Sequence, residues 1–379
     1  MNLNLFYLVI QGIVLYVCRL CRIISEDTYY NKIIDIIKYN GVVFVKMAQI
    51  ISSRNDNGGV PEILALKLRN MQDKCFYHLK DKLHQVQGLV YSDERPISAG
   101  SICNIYRVVY GGRPGVIKCT HDNIRAYIDD SIWTMEGLNT LYRLYSGFDV
   151  GKNINLADSR INILHQLDLI REAMYQSKMR AIFQPHDRIH VPEVYSFTND
   201  YIIMEYVDGL KFNDFVALYP DRNMECICLL YSVVYTMIQG GCIHGDLHYG
   251  NFTYALRKGE VHMNILDFGI MLELKPEQLR LLQDTFNILE SDKNRVRNCI
   301  AFVNTLDPTI QARMERIDFT NQMYTLDEVM ELMKGVNIPM PLVSLFTTVQ
   351  SFSTLIRGFS KSQLTDIICF MIEHNFIDF

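Results

Sequence analysis

Two short runs carry residue types that phosphoryl transfer uses, at matching spacing. HGDLHYGN (244–251) sets Asp246 five residues ahead of Asn251, and LDFG (266–269) adds a carboxylate at Asp267. Phosphoryl transfer asks little covalent work of a protein. It needs a carboxylate beside the attacking hydroxyl or water, and oxygen ligands for magnesium. In kinases a loop aspartate orients the nucleophile and an asparagine five residues on binds metal. The aspartate of DFG then holds the magnesium that bridges the phosphates. Asp246 is therefore the candidate catalytic residue, with Asn251 and Asp267 as candidate metal ligands. Each run alone is moderately specific. The two in this order, with a hairpin between, are much more so than two Asx turns that happen to flank one.

A lysine must hold the α- and β-phosphates. Lys118, in GVIKC, stands at a strand end after a strand pair, where such a lysine belongs. Its ion-pair partner is expected on the next packed helix, and Glu172 in LDLIREAM is the choice, with Asp168 one helical turn before it on the same face. No GxGxxG precedes Lys118. The chain instead reads PISAGSICNIYR (96–107), with Ser98, Ala99, Gly100 and Ser101 where a strand-turn-strand covers the phosphates. Small side chains permit close backbone approach. By itself that run is equally a plain hairpin. YIIMEYVDG (201–209) fits a buried strand entering a hinge, with backbone near Glu205 and Val207 meeting the adenine edge.

These residues need elements to position them. Residues 28–50 and 61–87 have a helical pattern, separated by a turn at 55–59. Residues 102–110 and 115–119 read as strands around Gly111, Gly112 and Pro114. Ile124, Ile128, Ile132, Met135 and Leu138 recur at spacings of three and four, as in an amphipathic helix. A second helix is expected over 161–183, strands over 191–197 and 201–206, and a long apolar helix over 224–239. A hairpin of 252–256 with 261–266 follows, and the remainder reads as helical. A strand-rich first half thus precedes a helical second half, an α+β pattern that two lobes joined near 205–210 would explain.

The chain has 379 residues, enough for two lobes or domains, and a net charge of −5. That balance gives no basic footprint and argues against nucleic acid as the main partner. Ten scattered cysteines in so long a chain fit a reducing compartment better than a disulfide framework. Cys18 and Cys21 form one CxxC without the second pair a zinc site needs. Residues 3–18 contain no charge, and Arg19 and Arg22 follow at once. A helix of that length reaches about 24 Å, short of the roughly 30 Å hydrocarbon core. A span, a buried helix and a membrane-surface helix all fit it. A span would hold the arginines and all that follows in the cytoplasm. No basic residue precedes the run and no small-residue cleavage site follows it, which speaks against a cleaved signal peptide. The expected organisation is an apolar segment (1–24), a helical extension (25–90), a kinase-like N-lobe (91–207) and a helical C-lobe with the catalytic and metal-binding loops (208–379).

With these residues placed, the sequence resembles the UbiB/AarF/ADCK family of atypical protein-kinase-like proteins over roughly residues 38–360. The family's K-x-G-Q helix is matched by GVVFVKMAQIISSRND (41–56), with Lys46 and Gln49 at its lysine and glutamine. PISAGSICNIYR is similar to the family's alanine-rich loop, HGDLHYGN to its H-x-D-P-H-P-G-N, and residues 339–359 to its closing helix. There are departures. Ala48 stands at the motif glycine, Gly100 in the alanine-rich loop, and Leu247 and Tyr249 at the loop prolines. The family's E-x-D is Gln166-Leu167-Asp168, so a Lys46–Gln166 contact would be a hydrogen bond to a neutral amide, weaker than a charge pair. The resemblance implies a bilobal kinase-like fold with an N-terminal helical extension, and the cofactors ATP and Mg2+. It also implies an ATPase or kinase linked to isoprenoid-quinone or membrane-lipid metabolism, with the phosphate acceptor (lipid, small molecule, protein or water) left open.

Two other readings share the loop. Aminoglycoside- and choline-kinase-like phosphotransferases also carry HGDLHxGN, but they lack the Lys46/Gln49 helix. A non-catalytic nucleotide-binding scaffold usually loses one of the residues that Lys118, Glu172, Asp246, Asn251 and Asp267 supply here.

Overall fold

A computed structural model of the chain describes residues 3–40, 43–45, 62–69, 85–100, 102–122, 124–146, 164, 167–247, 250–286, 292–306, 365 and 369–374. Lys46, Gln49, Ser101, Gln166 and the run 339–359 lie outside the described residues, as does the turn at 55–59. The fold is α+β, and the chain divides into two compact units. Unit 1 comprises Met1–Arg171 and Tyr195–Glu205; unit 2 comprises Glu172–Val194 and Tyr206–Phe379.

Unit 1 opens with helices α1 (Leu3–Leu20), α2 (Glu26–Tyr39) and α3 (Glu62–Arg69). Ser25 starts α2: its hydroxyl accepts the Thr28 N–H at 3.1 Å, and Glu26 and Asp27 put negative charge in the first turn. Lys67 on α3 bonds to Asp27 at 2.7 Å and to Asn31 at 2.7 Å. That hydrogen bond and charge hold the Asp27 carboxyl below the usual range. Strands β1 (Leu89–Tyr91), β2 (Ser98–Ala99), β3 (Cys103–Tyr110) and β4 (Arg113–Thr120) follow, then α4 (Ile124–Ser146). Helix α5 (Leu169–Phe183) carries the chain into unit 2. There follow β5 (Ile189–His190), β6 (Val194–Phe197) and β7 (Tyr201–Glu205). The unit 1 sheet has the order β1-β3-β4-β7-β6, with β2 added on β3. Alternation places Tyr106, Val108, Ile117, Cys119 and Ile203 in one apolar cluster.

Unit 2 continues with α6 (Phe212–Leu218), α7 (Asn223–Gln239), β8 (Cys242–His244), β9 (Phe252–Arg257), β10 (Glu260–Ile265), β11 (Met271–Glu273), α8 (Pro276–Phe286) and α9 (Asp292–Leu306). Its core centres on α7, which buries Leu229, Val233 and Met237 among Phe183, Phe215, Tyr254 and Phe302. A buried ionic hub ties the far end. Arg188 donates from Nε to the Val261 carbonyl at 3.0 Å, and pairs with Glu225. It also donates to His374 Nε2 at 3.1 Å, which must accept and is therefore neutral.

Several elements differ from the sequence reading. The helix expected over 161–183 is interrupted at Leu167 and Asp168 and runs on as α5 from Leu169, with Leu164 helical and 161–163, 165 and 166 outside the described residues. Asp168 is its cap, accepting the Arg171 N–H at 3.0 Å, rather than a residue one turn down its face. The strand expected over 191–197 is confined to β6, Val194–Phe197; Pro192 and Glu193 separate it from β5, which lies before the expected bounds and pairs parallel with β10. The strand expected over 115–119 starts earlier and includes Pro114. Pairing with β7 begins only at Gly115, so the proline's missing N–H lies where β4 is an edge. Of the helix expected over 61–87, Glu62–Arg69 is helical and residues 85–87 are not, leading into a turn at Gly88 (φ 79°) before β1, while 70–84 lie outside the described residues. The expectation of helix after the hairpin missed β11, as it missed β8 earlier, because three-residue strands leave no period to read.

One glycine in unit 2 is dictated by packing. A Cβ at Gly209 would collide with Thr253 Oγ1, lie 2.7 Å from Thr253 Cβ and 3.1 Å from Asn264 Nδ2. Gly209→Ala should destabilise the protein by about 1–3 kcal/mol through overpacking. Urea unfolding would read this as a lower midpoint at unchanged slope. An unchanged midpoint would mean that the segment moves aside freely.

Candidate functional site

The hairpin β9–β10 turns on Lys258 (φ 52°) and Gly259 (φ 86°), both left-handed as a type I′ turn requires. Its register pairs Phe252 with Ile265, which sets Asn251 opposite Leu266 at the open end. The Leu266 N–H donates to the Asn251 carbonyl at 2.8 Å. Asp267 is the next residue. The hairpin therefore brings the two candidate metal ligands to one place, from opposite strands.

A second strand pair brings the candidate catalytic residue. β8 pairs antiparallel with β11, matching His244 to Met271, and the Gly245 N–H donates to the Ile270 carbonyl at 2.7 Å. Asp246 follows directly. His244 is fully buried and bonded on both sides. Its Nδ1 accepts the Asp246 N–H at 3.1 Å, and Nε2 stands 3.2 Å from the Leu266 carbonyl. A carbonyl only accepts, so Nε2 carries the proton and the ring is neutral. Burial works in the same direction, holding the His244 pKa below its ordinary value. Phe268 packs edge-on against the ring at 5.5 Å and is itself buried.

The metal ligands can be tested against magnesium by their chemistry. Asn251 Nδ2 donates to the Asp246 carbonyl at 2.8 Å, which commits the amide nitrogen to backbone and leaves the oxygen as the atom to offer a cation. Asp267 sits at φ 61°, and its carboxylate accepts the Gly269 N–H at 3.3 Å. A non-glycine residue held there costs about 1–2 kcal/mol. Such strain is a mark of functional positions. Among the described residues no three His, Cys, Asp or Glu side chains form a metal cluster. Magnesium takes one or two carboxylates and completes its shell with phosphates and water, so this sparse all-oxygen set fits it.

Unit 1 carries Lys118 and the run Ser98, Ala99 and Gly100, while Glu172 and Val207 belong to unit 2. Lys118 on β4 pairs with Ile105 on β3 and Ile202 on β7, and Ile105 pairs with Ser98 on β2. Residues in register share a sheet face, so Ser98 and Lys118 lie on one face, two strands or about 10 Å apart. Ser98, Ala99 and Gly100 are exposed, and the Gly100 N–H donates to the Cys103 carbonyl at 2.8 Å in a tight turn. Glu172 lies in the first turn of α5, buried to 2% exposure. Glu205 ends β7 and Val207 stands two residues on, half-buried. The structure thus assembles Asp246, Asn251 and Asp267 in unit 2, and Ser98, Ala99, Gly100 and Lys118 in unit 1.

Three positioning residues escaped the sequence reading. His244 was visible in the motif, but its double bond across two segments was not. Asn264, fully buried, donates to the Asp208 carbonyl at 3.1 Å and to Thr253 Oγ1 at 3.0 Å, with only a polar residue inside an apolar strand as a signal. Buried His121 reaches from the end of β4 to the Gly100 carbonyl, with Nε2 at 3.0 Å. Nothing in the sequence spacing marks it.

Comparison with known proteins places the chain in a class and then in a family. Residues 71–300 match the family model described as the ABC1 atypical kinase-like domain. A probable protein kinase UbiB of Aeromonas salmonicida is 25% identical over 84% of this chain and 61% of its own length. An uncharacterized, chloroplastic aarF domain-containing protein kinase of Arabidopsis thaliana is 24% identical over 72% of this chain and 40% of its own. A solved Mycobacterium tuberculosis protein in complex with erythromycin aligns at TM-score 0.43 and 21% identity, covering 64% of this chain and 60% of that one. The family model makes residues 71–300 a kinase-like domain. The chain belongs to the UbiB/AarF/ADCK family of atypical kinases. It spans about four- to six-tenths of the length of these two curated relatives.

Burial lowers the pKa of four histidines in unit 2: His186, His244, His262 and His374. The unfolded chain would take up protons near the ordinary value of 6.5 that the folded chain refuses. Their contribution to stability is therefore fully present above that pH and is lost as the pH falls below it. A melting temperature that drops between pH 7.5 and 5.5 is expected. A flat profile would contradict the neutral, doubly bonded His244.

Proposed function

We propose that this chain binds Mg-ATP in a two-lobed kinase-like fold with an N-terminal helical extension, and transfers or hydrolyses the γ-phosphate. The observation that carries the reading is the meeting of Asp246, Asn251 and Asp267 at the end of two strand pairs, with neutral His244 bonded to both segments. Asp246 accepts the proton of the attacking hydroxyl or water as its oxygen bonds to the γ-phosphorus, and ADP leaves. Asn251 and Asp267 hold magnesium, which neutralises charge on the phosphates when bound. Lys118 holds the α- and β-phosphates, with Glu172 as its countercharge, beneath the loop of Ser98, Ala99, Gly100 and Ser101. The backbone at Glu205 and Val207 meets the adenine.

The lobes of this proposal are 91–207 and 208–379, preceded by an apolar segment (1–24) and an extension (25–90) in which Lys46 and Gln49 approach the nucleotide. The acceptor is a lipid, a small molecule, a protein or water. The family relationship favours a link to isoprenoid-quinone or membrane-lipid metabolism, with membrane association through the N-terminal segment.

Mg-ATP should raise the melting temperature of the purified chain, and Asp267→Asn should abolish the rise. A persisting rise would remove Asp267 from the metal site. Phosphate release from ATP should fall roughly 10²-fold or more in Asp246→Asn, the scale of a lost proton acceptor. Turnover indifferent to that change would exclude Asp246 from the reaction.

A further inference from the structure

α1 presents an apolar surface that is exposed among the described residues. Phe6, Ile10, Ile13, Val14, Val17 and Leu20 are each between 41% and 63% exposed, and Tyr7 and Tyr16 are exposed beside them. The buried or half-buried residues are Leu8, Val9, Gln11, Leu15, Cys18 and Arg19, and all but Val9 form one seam. That seam serves the contacts of α1 with α2 and α4. At about 100° per residue, these exposed positions sweep about 180° of the helix circumference. No charge lies on that arc. A partner helix would cover a stripe of only about 100°. An arc so much wider calls for immersion in an apolar medium. Among the described residues no helix is long and apolar enough to cross a membrane.

The end of α1 adds an independent observation. The Ile23 N–H donates to the Cys18 carbonyl at 2.9 Å and the Arg22 N–H to the Arg19 carbonyl at 3.0 Å, the two bonds of a Schellman ending. Arg22 occupies its left-handed position, φ 56°, where glycine is the unstrained choice. The arginine is exposed, just past the end of α1. Next to it Arg19 donates to Glu26 at 2.7 Å and lies 4.9 Å over the Tyr29 ring, which fixes the corner between α1 and α2. The helix is thus tied to unit 1 along its seam and at its end.

We infer that α1 is an in-plane membrane helix. It lies in the interface of a lipid bilayer with its wide apolar arc among the acyl chains and Arg22 at anionic headgroups, and so fixes one face of unit 1 to the bilayer surface. This deepens the membrane part of the reading above and is independent of nucleotide chemistry.

Flotation of the full chain with vesicles tests it. The wild type should float with phosphatidylcholine vesicles, and more strongly when phosphatidylglycerol is included. Ile13→Glu combined with Val17→Glu should reduce binding about tenfold or more, at unchanged melting temperature and with the Mg-ATP shift retained. Arg22→Gly relieves the left-handed strain, so it should melt no lower than wild type while losing about fivefold in affinity for the anionic vesicles alone. Wild-type protein that stays down with both vesicles, or a double variant that floats equally, overturns the inference. So does a concentration-dependent dimer that the double variant abolishes without any vesicle binding, which would make a second copy the occupant. Loss of the Mg-ATP shift in wild type would instead count against the nucleotide reading and leave vesicle binding to stand or fall by itself.

Discussion

His244 lies fully buried between the segment that carries Asp246 and the segment that carries Asp267, and it can serve both only while uncharged. One nitrogen must accept from backbone N–H and the other must donate to a carbonyl. A second proton would break the first bond and bury a cation. The imidazole therefore acts as a bracket of fixed polarity. Phe268 closes over it, and the strand pairs β8–β11 and β9–β10 converge on either side. Remove the bracket and the carboxylates lose a common frame, although each would keep its own turn.

The rest of unit 2 is organised so that this frame does not drift. Asn264 and Gly209 lock the entering segment 206–210 against β9, aided by the paired bonds between Leu210 and Tyr254. Lys211 bonds to the Gly250 carbonyl within the loop itself. At the opposite end, Arg188, Glu225 and His374 join α7, β10 and the last described turn. Removing one partner from a buried ion pair typically costs about 3–5 kcal/mol. Hub and bracket together leave the backbone strain at Asp267 little room to relax.

The catalytic run was legible because its chemistry fixes its spacing. In the proposed site Asp246 and Asn251 stand five residues apart, and that spacing is written along the chain. The β9–β10 hairpin was legible through alternation and its Lys258-Gly259 turn. α7 was legible because its seventeen residues hold enough apolar positions to be read. The short strands β8 and β11 were not, since three residues have no period, and they exist by pairing with each other. Asp168 was misread because a cap and a helical residue look alike until the first turn is seen. Pro114 was misread because whether a proline interrupts a strand depends on which neighbour is present.

By itself the sequence determined which groups are the candidates for the proposed chemistry. Asp246, Asn251, Asp267 and Lys118 are set by residue type and local spacing, and both are written along the chain. Only the tertiary structure decided what holds them. The neutral tautomer of His244, the amide orientation of Asn251, the His121–Gly100 contact and the exposed arc of α1 each depend on groups distant in sequence. The same apolar run could have been a span, a core helix or a surface helix. What separates these is which side of the helix finds a protein neighbour, and hydropathy along a chain does not record that. The seam of Leu8, Leu15 and Cys18 against α2 and α4 does.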